Sequence, residues 1–297
     1  MSKRRLWQGC GTALVTPFGA DGRLDEKRLD ALVDFQIRGG VDFLVPCGTT
    51  GESPTLGPDE HRAVVERVVA RVRKRIPVIA GVGGNDTAKV VETAQAVAGL
   101  GVDGILSVTP YYNKPSQEGL FQHFKAVAEA VDKPVIVYNV PGRTSVNLLP
   151  NTVVRLSGIR GIVGIKEASG DIGQIAELAS KIPPDFLIFS GDDAVTLPII
   201  ALGGVGIISV VSNETPRAMT ELVHAALGGK WDKARTLQKK LFTLMKLNFI
   251  ETNPAPVKAA LAMMGMIDEI LRLPLVPVQE ENRMKIRTEL KKLGLVP

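Results

Sequence analysis

Lys166 is the residue whose surroundings most favour chemistry. It stands near the end of an apolar run, Gly161–Glu167 (GIVGIKE). In a strand, neighbours alternate between faces, so Ile162, Gly164 and Lys166 would share one face and Val163 and Ile165 the other. A lysine beside Gly164, which leaves room inside a barrel, would be stripped of water. Its ammonium would be disfavoured and its free amine made nucleophilic, the state a Schiff base requires. The alternative is a structural ion pair with Glu167 or an aspartate, and the residue alone leaves both open. Tyr138, in Pro134–Val140 (PVIVYNV), falls on an inward face with Ile136. A phenol beside a Schiff-base nitrogen can shuttle a proton, and Thr49 can continue a hydroxyl relay. Taken alone, Tyr138 also reads as a core aromatic with a satisfied hydroxyl. His61, His123 and His224 are far apart in the chain and lie on helical patterns. They make poor metal ligands, and no metal is expected.

The elements that must position these groups are legible as apolar, β-branched runs. They are Gly11–Pro17, Phe43–Pro46, Pro77–Val82, Gly104–Thr109, Pro134–Val140, Gly161–Glu167, Phe186–Gly191 and Gly206–Ser212. Each is near-continuous rather than alternating, as in a parallel sheet covered on both faces. Helical patterns fill the gaps at Asp25–Arg38, Asp59–Arg75, Thr87–Leu100, Gln117–Val131, Pro150–Leu156, Asp171–Lys181, Ala194–Leu202 and Pro216–Leu227. Eight such units predict an α/β fold, a (β/α)₈ TIM barrel over residues 1–228. A doubly wound open sheet is the competing fold. It would want a phosphate-binding glycine loop after the first strand, and FGADGR there is no such loop. Residues 229–297 carry only helical patterns, Trp231–Ile250, Pro256–Gly265 and Val278–Lys292, and predict a C-terminal helical domain. Barrel chemistry lies at the C-terminal strand ends. Those ends carry Gly48–Glu52, Thr109–Asn113, Tyr138–Thr144, Lys166-Glu167 and Ser190–Asp193.

Composition bounds the remaining possibilities. The 297 residues are 45% hydrophobic and 23% charged, with a net charge of +5, which suits a folded protein with a large core. The basic residues are scattered. The densest groups, Lys3-Arg4-Arg5 and the Arg71–Arg75 cluster, read as a frayed terminus and a solvated helix end, so nucleic-acid binding is not expected. No apolar run is long enough for a membrane span or a signal peptide. The two cysteines, Cys10 and Cys47, sit in apolar runs and read as buried free thiols. A cytoplasmic protein is expected.

Five motifs carry a resemblance: GTTGES (Gly48–Ser53), TPYYNKPSQEGL (Thr109–Leu120), YNVPGRT (Tyr138–Thr144), GIKEASGD (Gly164–Asp171) and SGDD (Ser190–Asp193). In order and spacing the chain resembles the 4-hydroxy-tetrahydrodipicolinate synthase family, from about Gly9 to the end. GTTGE and the lysine alone mark only the wider pyruvate-dependent class I aldolase superfamily, and YNVPGRT and the YYNKPSQEGL run narrow it. The resemblance implies that pyruvate condenses with L-aspartate 4-semialdehyde in lysine and diaminopimelate biosynthesis. It implies a pyruvate imine on Lys166 and a proton relay of Tyr138, Thr49 and Tyr112. Thr50 and Ile208 would hold pyruvate, Gly191 would contribute to substrate binding, and Arg143 would meet the semialdehyde carboxylate. No cofactor is implied beyond the covalent imine. A homotetramer of tight dimers is implied, with Tyr111 and Tyr112 at the tight interface. The rivals are a sister aldolase acting on a sugar acid, which Arg143 disfavours, and a barrel that has lost its chemistry.

One departure concerns regulation. Family members inhibited by L-lysine use a serine, a histidine, an asparagine, a glutamate and the interface tyrosine. The matching positions here hold Ser53, His61, Asn85 and Tyr111, but Lys89 replaces the glutamate and Pro58 a second histidine. A cation where the inhibitor's ammonium needs an anion predicts insensitivity to lysine. Asp86 is close enough in sequence to compensate.

Overall fold

The runs that read as strands are strands because each is covered twice, by the barrel interior on one side and by helices on the other. The computed structural model describes residues 7–297, so the Lys3-Arg4-Arg5 group lies outside the described residues. Eight parallel strands form the sheet: β1 (Gly9–Ala13), β2 (Phe43–Val45), β3 (Ile79–Gly83), β4 (Gly104–Val108), β5 (Val135–Asn139), β6 (Ile162–Glu167), β7 (Leu187–Ser190) and β8 (Gly206–Ser209). Their order is β2-β1-β8-β7-β6-β5-β4-β3. The two ends meet through a parallel bridge, Leu44 to Val78, and the Leu44 and Gly81 amides donate to the Pro77 and Pro46 carbonyls at 3.0 and 2.9 Å. The sheet is therefore a closed (β/α)₈ barrel, as predicted.

Two apolar layers result. Inside the barrel lie Phe43, Val45, Ile79, Leu106, Ile136, Tyr138, Leu187, Phe189 and Ile208. Phe43 and Phe189 meet edge to face at 5.5 Å between centroids. Glycine makes room for them: a Cβ on Gly11 would sit 2.0 Å from the Phe43 ring. Between barrel and helices runs a layer that includes Val33, Val65, Val68, Ile105, Val137, Ile165 and Ile188. The helices start where their caps dictate. Asp25, Asp86, Ser116 and Asp171 each accept an amide hydrogen from the first turn of the helix that follows, satisfying a donor the helix cannot.

After Gly229 the chain forms helices only, Trp231–Leu247, Ala255–Met263 and Glu280–Leu293. The first packs on the helix Pro216–Leu227 and reaches over the C-terminal end of the barrel.

Several expectations are corrected. β6 carries a register irregularity: Val135 pairs with Ile162, but Ile136 pairs with Gly164. The extra residue, Val163, breaks the alternation. Ile162 therefore packs in the outer layer and Val163 against the barrel interior, while Gly164 and Lys166 keep their shared face. The room at Gly164 is not empty, because a Cβ there would lie 2.7 Å from the Leu187 Cβ. β8 stops at Ser209, since Val211–Asn213 turns into a 3₁₀ helix. The helix expected to reach Arg75 ends at Val72, with Arg73 left-handed at φ 51°. Its basic end is not simply solvated. Arg67 binds Asp30 and Glu26, and Arg71 and Arg75 bind Asp34, tying it to the helix Glu26–Gly39. Both cysteines are buried and free. No described helix is long and apolar enough to cross a membrane.

Candidate active site

Parallel pairing sets the central geometry. Tyr138 on β5 is the register partner of Lys166 on β6, so two inward side chains stand side by side at the C-terminal end of the barrel. The Lys166 Nζ lies 4.2 Å from the centroid of the Tyr138 ring. Lys166 is 4% exposed. Among the described residues no carboxylate comes within ion-pair distance of it. Burial, opposed by Asp193 and reinforced by Arg143, pushes its ammonium down from 10.5 to about 7. Gly191 leaves space along the lysine stem, where a Cβ would lie 3.1 Å from the Lys166 Cε.

Glu167, the alternative ion-pair partner, points to the other face. It accepts from Asn139 Nδ2 at 3.1 Å and from the Ser169 amide at 2.6 Å, and burial raises its pKa. The anion that acts on the Lys166 ammonium is Asp193. Its carboxylate accepts from Ser209 Oγ at 2.5 Å and from the Val210 and Val211 amides at 3.1 and 3.2 Å. Burial nevertheless raises it to about 6. Tyr138 is pushed up to about 12 by burial, against the pull of Arg143 and of the Thr49 hydroxyl. It therefore holds its proton at neutral pH.

The cavity above these groups has a volume of about 310 Å³. Its wall brings together Thr49, Thr50, Tyr138, Arg143, Lys166 and Gly191, six of the residues singled out from the sequence. Thr49 and Thr50 stand on a 3₁₀ turn, Thr49–Gly51, directly after β2. Arg143 is carried by a short helical turn, Pro141–Thr144, that follows β5, where the sequence predicts only a strand end. Ile208 is fully buried on β8, in the interior layer with Tyr138. Tyr112 does not join them within one chain, being 88% exposed with φ 71°. Tyr111 lines an adjoining cavity of about 240 Å³ with Thr49, Ser53, Val140 and Arg143.

Four wall residues come from beyond the barrel: Met245, Lys246, Phe249 and Asn253. Sequence reasoning missed them: Met245, Lys246 and Phe249 fall in the helical pattern Trp231–Ile250, and Asn253 in TNPAP, which reads only as a break between helices. Asn253 is the most telling. Its Nδ2 donates to Thr50 Oγ1 at 3.0 Å, and its carbonyl accepts from Arg143 Nη2 at 3.1 Å. Of the residues matched to an inhibitor site, Asn85 accepts at its carbonyl from Asn113 Nδ2 at 2.7 Å. Ser53 and Tyr111 share the smaller cavity. His61 is buried with Nε2 2.9 Å from the Gly81 carbonyl. Lys89 is largely exposed, 3.9 Å from Asp86. Among the described residues no group of His, Cys, Asp or Glu is arranged to hold a metal ion.

A closed barrel with one unpaired, readily deprotonated lysine at its C-terminal mouth and a phenol against it is the framework of a lyase of the class I aldolase type. The dihydrodipicolinate synthetase family model matches residues 7–293. A 4-hydroxy-tetrahydrodipicolinate synthase from Koribacter versatilis is 53% identical over 290 residues, covering 97% of both chains. The dihydrodipicolinate synthase structure from Thermotoga maritima superimposes with a TM-score of 0.96 at 47% identity, covering 98% of this chain and 100% of that one. The chloride-inhibited dihydrodipicolinate synthase from Acinetobacter baumannii, complexed with pyruvate, does so with a TM-score of 0.96 at 46% identity, covering 97% and 99%. The chain belongs to the dihydrodipicolinate synthetase family.

Proposed function

We propose that the chain condenses pyruvate with L-aspartate 4-semialdehyde through an imine on Lys166, giving 4-hydroxy-tetrahydrodipicolinate for lysine and diaminopimelate biosynthesis. The observation that carries this reading is a buried lysine, lowered to about 7, with a cavity in front of it and no carboxylate partner among the described residues. The free amine adds to the pyruvate ketone and water leaves. The protonated imine draws electrons from C3, and loss of a methyl proton gives an enamine. The enamine attacks the aldehyde carbon, forming the C–C bond. The semialdehyde's own amine then replaces Lys166 at the imine carbon, closing the ring and freeing the enzyme. The iminium is the electron sink, so the sequence needs no metal and no cofactor.

Tyr138 carries protons to and from these intermediates with Thr49, and its high pKa keeps it a donor at neutral pH. Thr50 and Ile208 hold pyruvate, and Gly191 leaves the approach to Lys166 open. Arg143, at the mouth, receives the semialdehyde carboxylate, where a planar fork suits a planar anion. We read residues 229–297 as a helical domain that roofs this cavity. The exposed Tyr112, on a strained loop beside Tyr111, suits insertion into a second copy. It would complete the relay in a tight dimer, and two such dimers would make a homotetramer in the cytoplasm.

The same reading includes insensitivity to L-lysine. Asp86 is occupied as a helix cap, accepting from the Ala88 amide at 3.1 Å, and lies beside the Lys89 ammonium. Neither leaves an unopposed anion for the inhibitor's ammonium.

Pyruvate with borohydride tests the function. Irreversible inactivation is expected, with the reduced adduct mapped to Lys166. An adduct on another residue, or none, refutes the imine. Turnover of a sugar acid in preference to the semialdehyde refutes the substrate assignment.

A further inference from the structure

The turn that carries Thr49 and Thr50 ends on an unusual residue. Glu52 is left-handed at φ 54° and almost fully buried. A side chain other than glycine, asparagine or aspartate is strained there and persists only where its surroundings fix it. Those surroundings come from the far end of the chain. Lys258 Nζ donates to Glu52 Oε1 at 2.6 Å, and neither side chain is exposed. The Arg272 amide donates to Glu52 Oε2 at 3.1 Å. The Lys258 ammonium and the Arg272 guanidinium both lie over the Phe18 ring, at 4.4 and 4.1 Å from its centroid. Arg272 is itself held by Glu60 and by the Gly22 carbonyl. The Glu52 amide donates to the Thr49 carbonyl at 3.1 Å, and its carbonyl accepts from the Thr55 amide at 3.0 Å. Asn253, on the segment leading into the helix of Lys258, donates to Thr50.

A buried ion pair is poor evidence for stability. Desolvating two charges offsets most of their attraction, and apolar replacement of both is often neutral or stabilising. What such a pair does fix is position, because either charge left alone is severely disfavoured. Here it fixes the residue that closes the Thr49–Gly51 turn.

We propose that Glu52 and Lys258, steadied by Arg272, are positioning residues for the pyruvate half of the reaction. They set the Thr49 and Thr50 hydroxyls relative to Lys166 and Tyr138. The inference rests on the pyruvate-imine reading, in which Thr50 meets pyruvate and Thr49 serves Tyr138. Arg143 is carried by a different loop and meets this assembly only through the Asn253 carbonyl, whereas Thr49 and Thr50 stand on the turn that Glu52 closes, so the semialdehyde half should be affected less.

The test is the double variant Glu52→Gln/Lys258→Met, which removes both charges, with Arg272→Gln, at a partly exposed position, as a milder variant that keeps both charges of the buried pair. Pyruvate concentration for half-maximal borohydride trapping, the KM of each substrate and thermal unfolding are measured beside the parent. The double variant is expected to unfold cooperatively near the parent temperature. Its half-saturating pyruvate should rise at least about tenfold, as small misplacements of positioning groups do, with the semialdehyde KM changed less. Arg272→Gln should shift the same quantity in the same sense, by less. If the double variant does not fold, Arg272→Gln and Glu52→Asp, which keeps the charge on a shorter arm, decide the matter by the same ratio of KM values. Unchanged pyruvate saturation in folded variants overturns the proposal, and so does equal loss for both substrates. Absence of trapping in the parent would instead refute the imine itself, so the two failures are separable.

Discussion

The lowered pKa of Lys166 fixes how imine formation must depend on pH. A solvated lysine near 10.5 has about three molecules in ten thousand deprotonated at pH 7. With burial lowering it to about 7, half are free amine, a gain of about a thousandfold in nucleophile. The rate of pyruvate trapping, followed by intact mass after short incubation with cyanoborohydride, should rise with pH to a midpoint near 7 and then level off. The same shift acts on stability. Between about 7 and 10.5 the unfolded chain binds a proton at this position that the folded chain does not. Stability contributed by Lys166 therefore increases with pH across that window, and the penalty is full below it. Lys166→Met should accordingly be more stable than the parent at pH 6, by up to about 5 kcal/mol, with the difference shrinking toward pH 10. Urea unfolding at several pH values measures it. A trapping midpoint above 9, or a Lys166→Met variant less stable than the parent at pH 6, would show that the ammonium is well accommodated and that burial does not activate it.

Asp193→Asn removes an anion that favours the Lys166 ammonium, so the trapping midpoint should move down; an upward move would refute that coupling. Tyr138→Phe should leave the fold intact and lower kcat by about 10²–10³-fold, and near-normal turnover removes Tyr138 from the relay. Arg143→Ala should impair the semialdehyde half-reaction by about 2–4 kcal/mol while trapping persists; equal damage to both makes Arg143 structural. Millimolar L-lysine should leave activity unchanged, and Lys89→Glu should create sensitivity. Clear inhibition of the parent below a millimolar refutes the charge argument.

The local chemistry of the chain determined a good deal by itself. Near-continuous β-branched runs read as strands covered on both faces, and eight of them in alternation with amphipathic helices, without a phosphate-binding glycine loop after the first, favour a parallel barrel over an open sheet. Chain order then put Lys166, Tyr138, Thr49, Thr50 and Gly191 at strand ends, since the period of a strand and the end at which loops gather are local properties. What depended on distant partners was not legible. The irregularity at Val163 arises from pairing between β5 and β6, so simple alternation misplaced Ile162. The space in front of Lys166 comes from Gly191, the residue after β7, while the room at Gly164 is filled by Leu187. Whether Lys166 was an ion-pair partner or a free amine turned on where Glu167 and Asp193 point, and only tertiary packing sets that. The roof of the cavity comes from Met245, Lys246, Phe249 and Asn253, about 80 residues or more beyond Lys166 in the chain. In the sequence Glu52 is part of a loop motif; the fold sets Lys258, 206 positions away, against it. A charge's pKa and a turn's rigidity are set by whatever the fold brings within a few ångströms, and sequence distance carries no record of that.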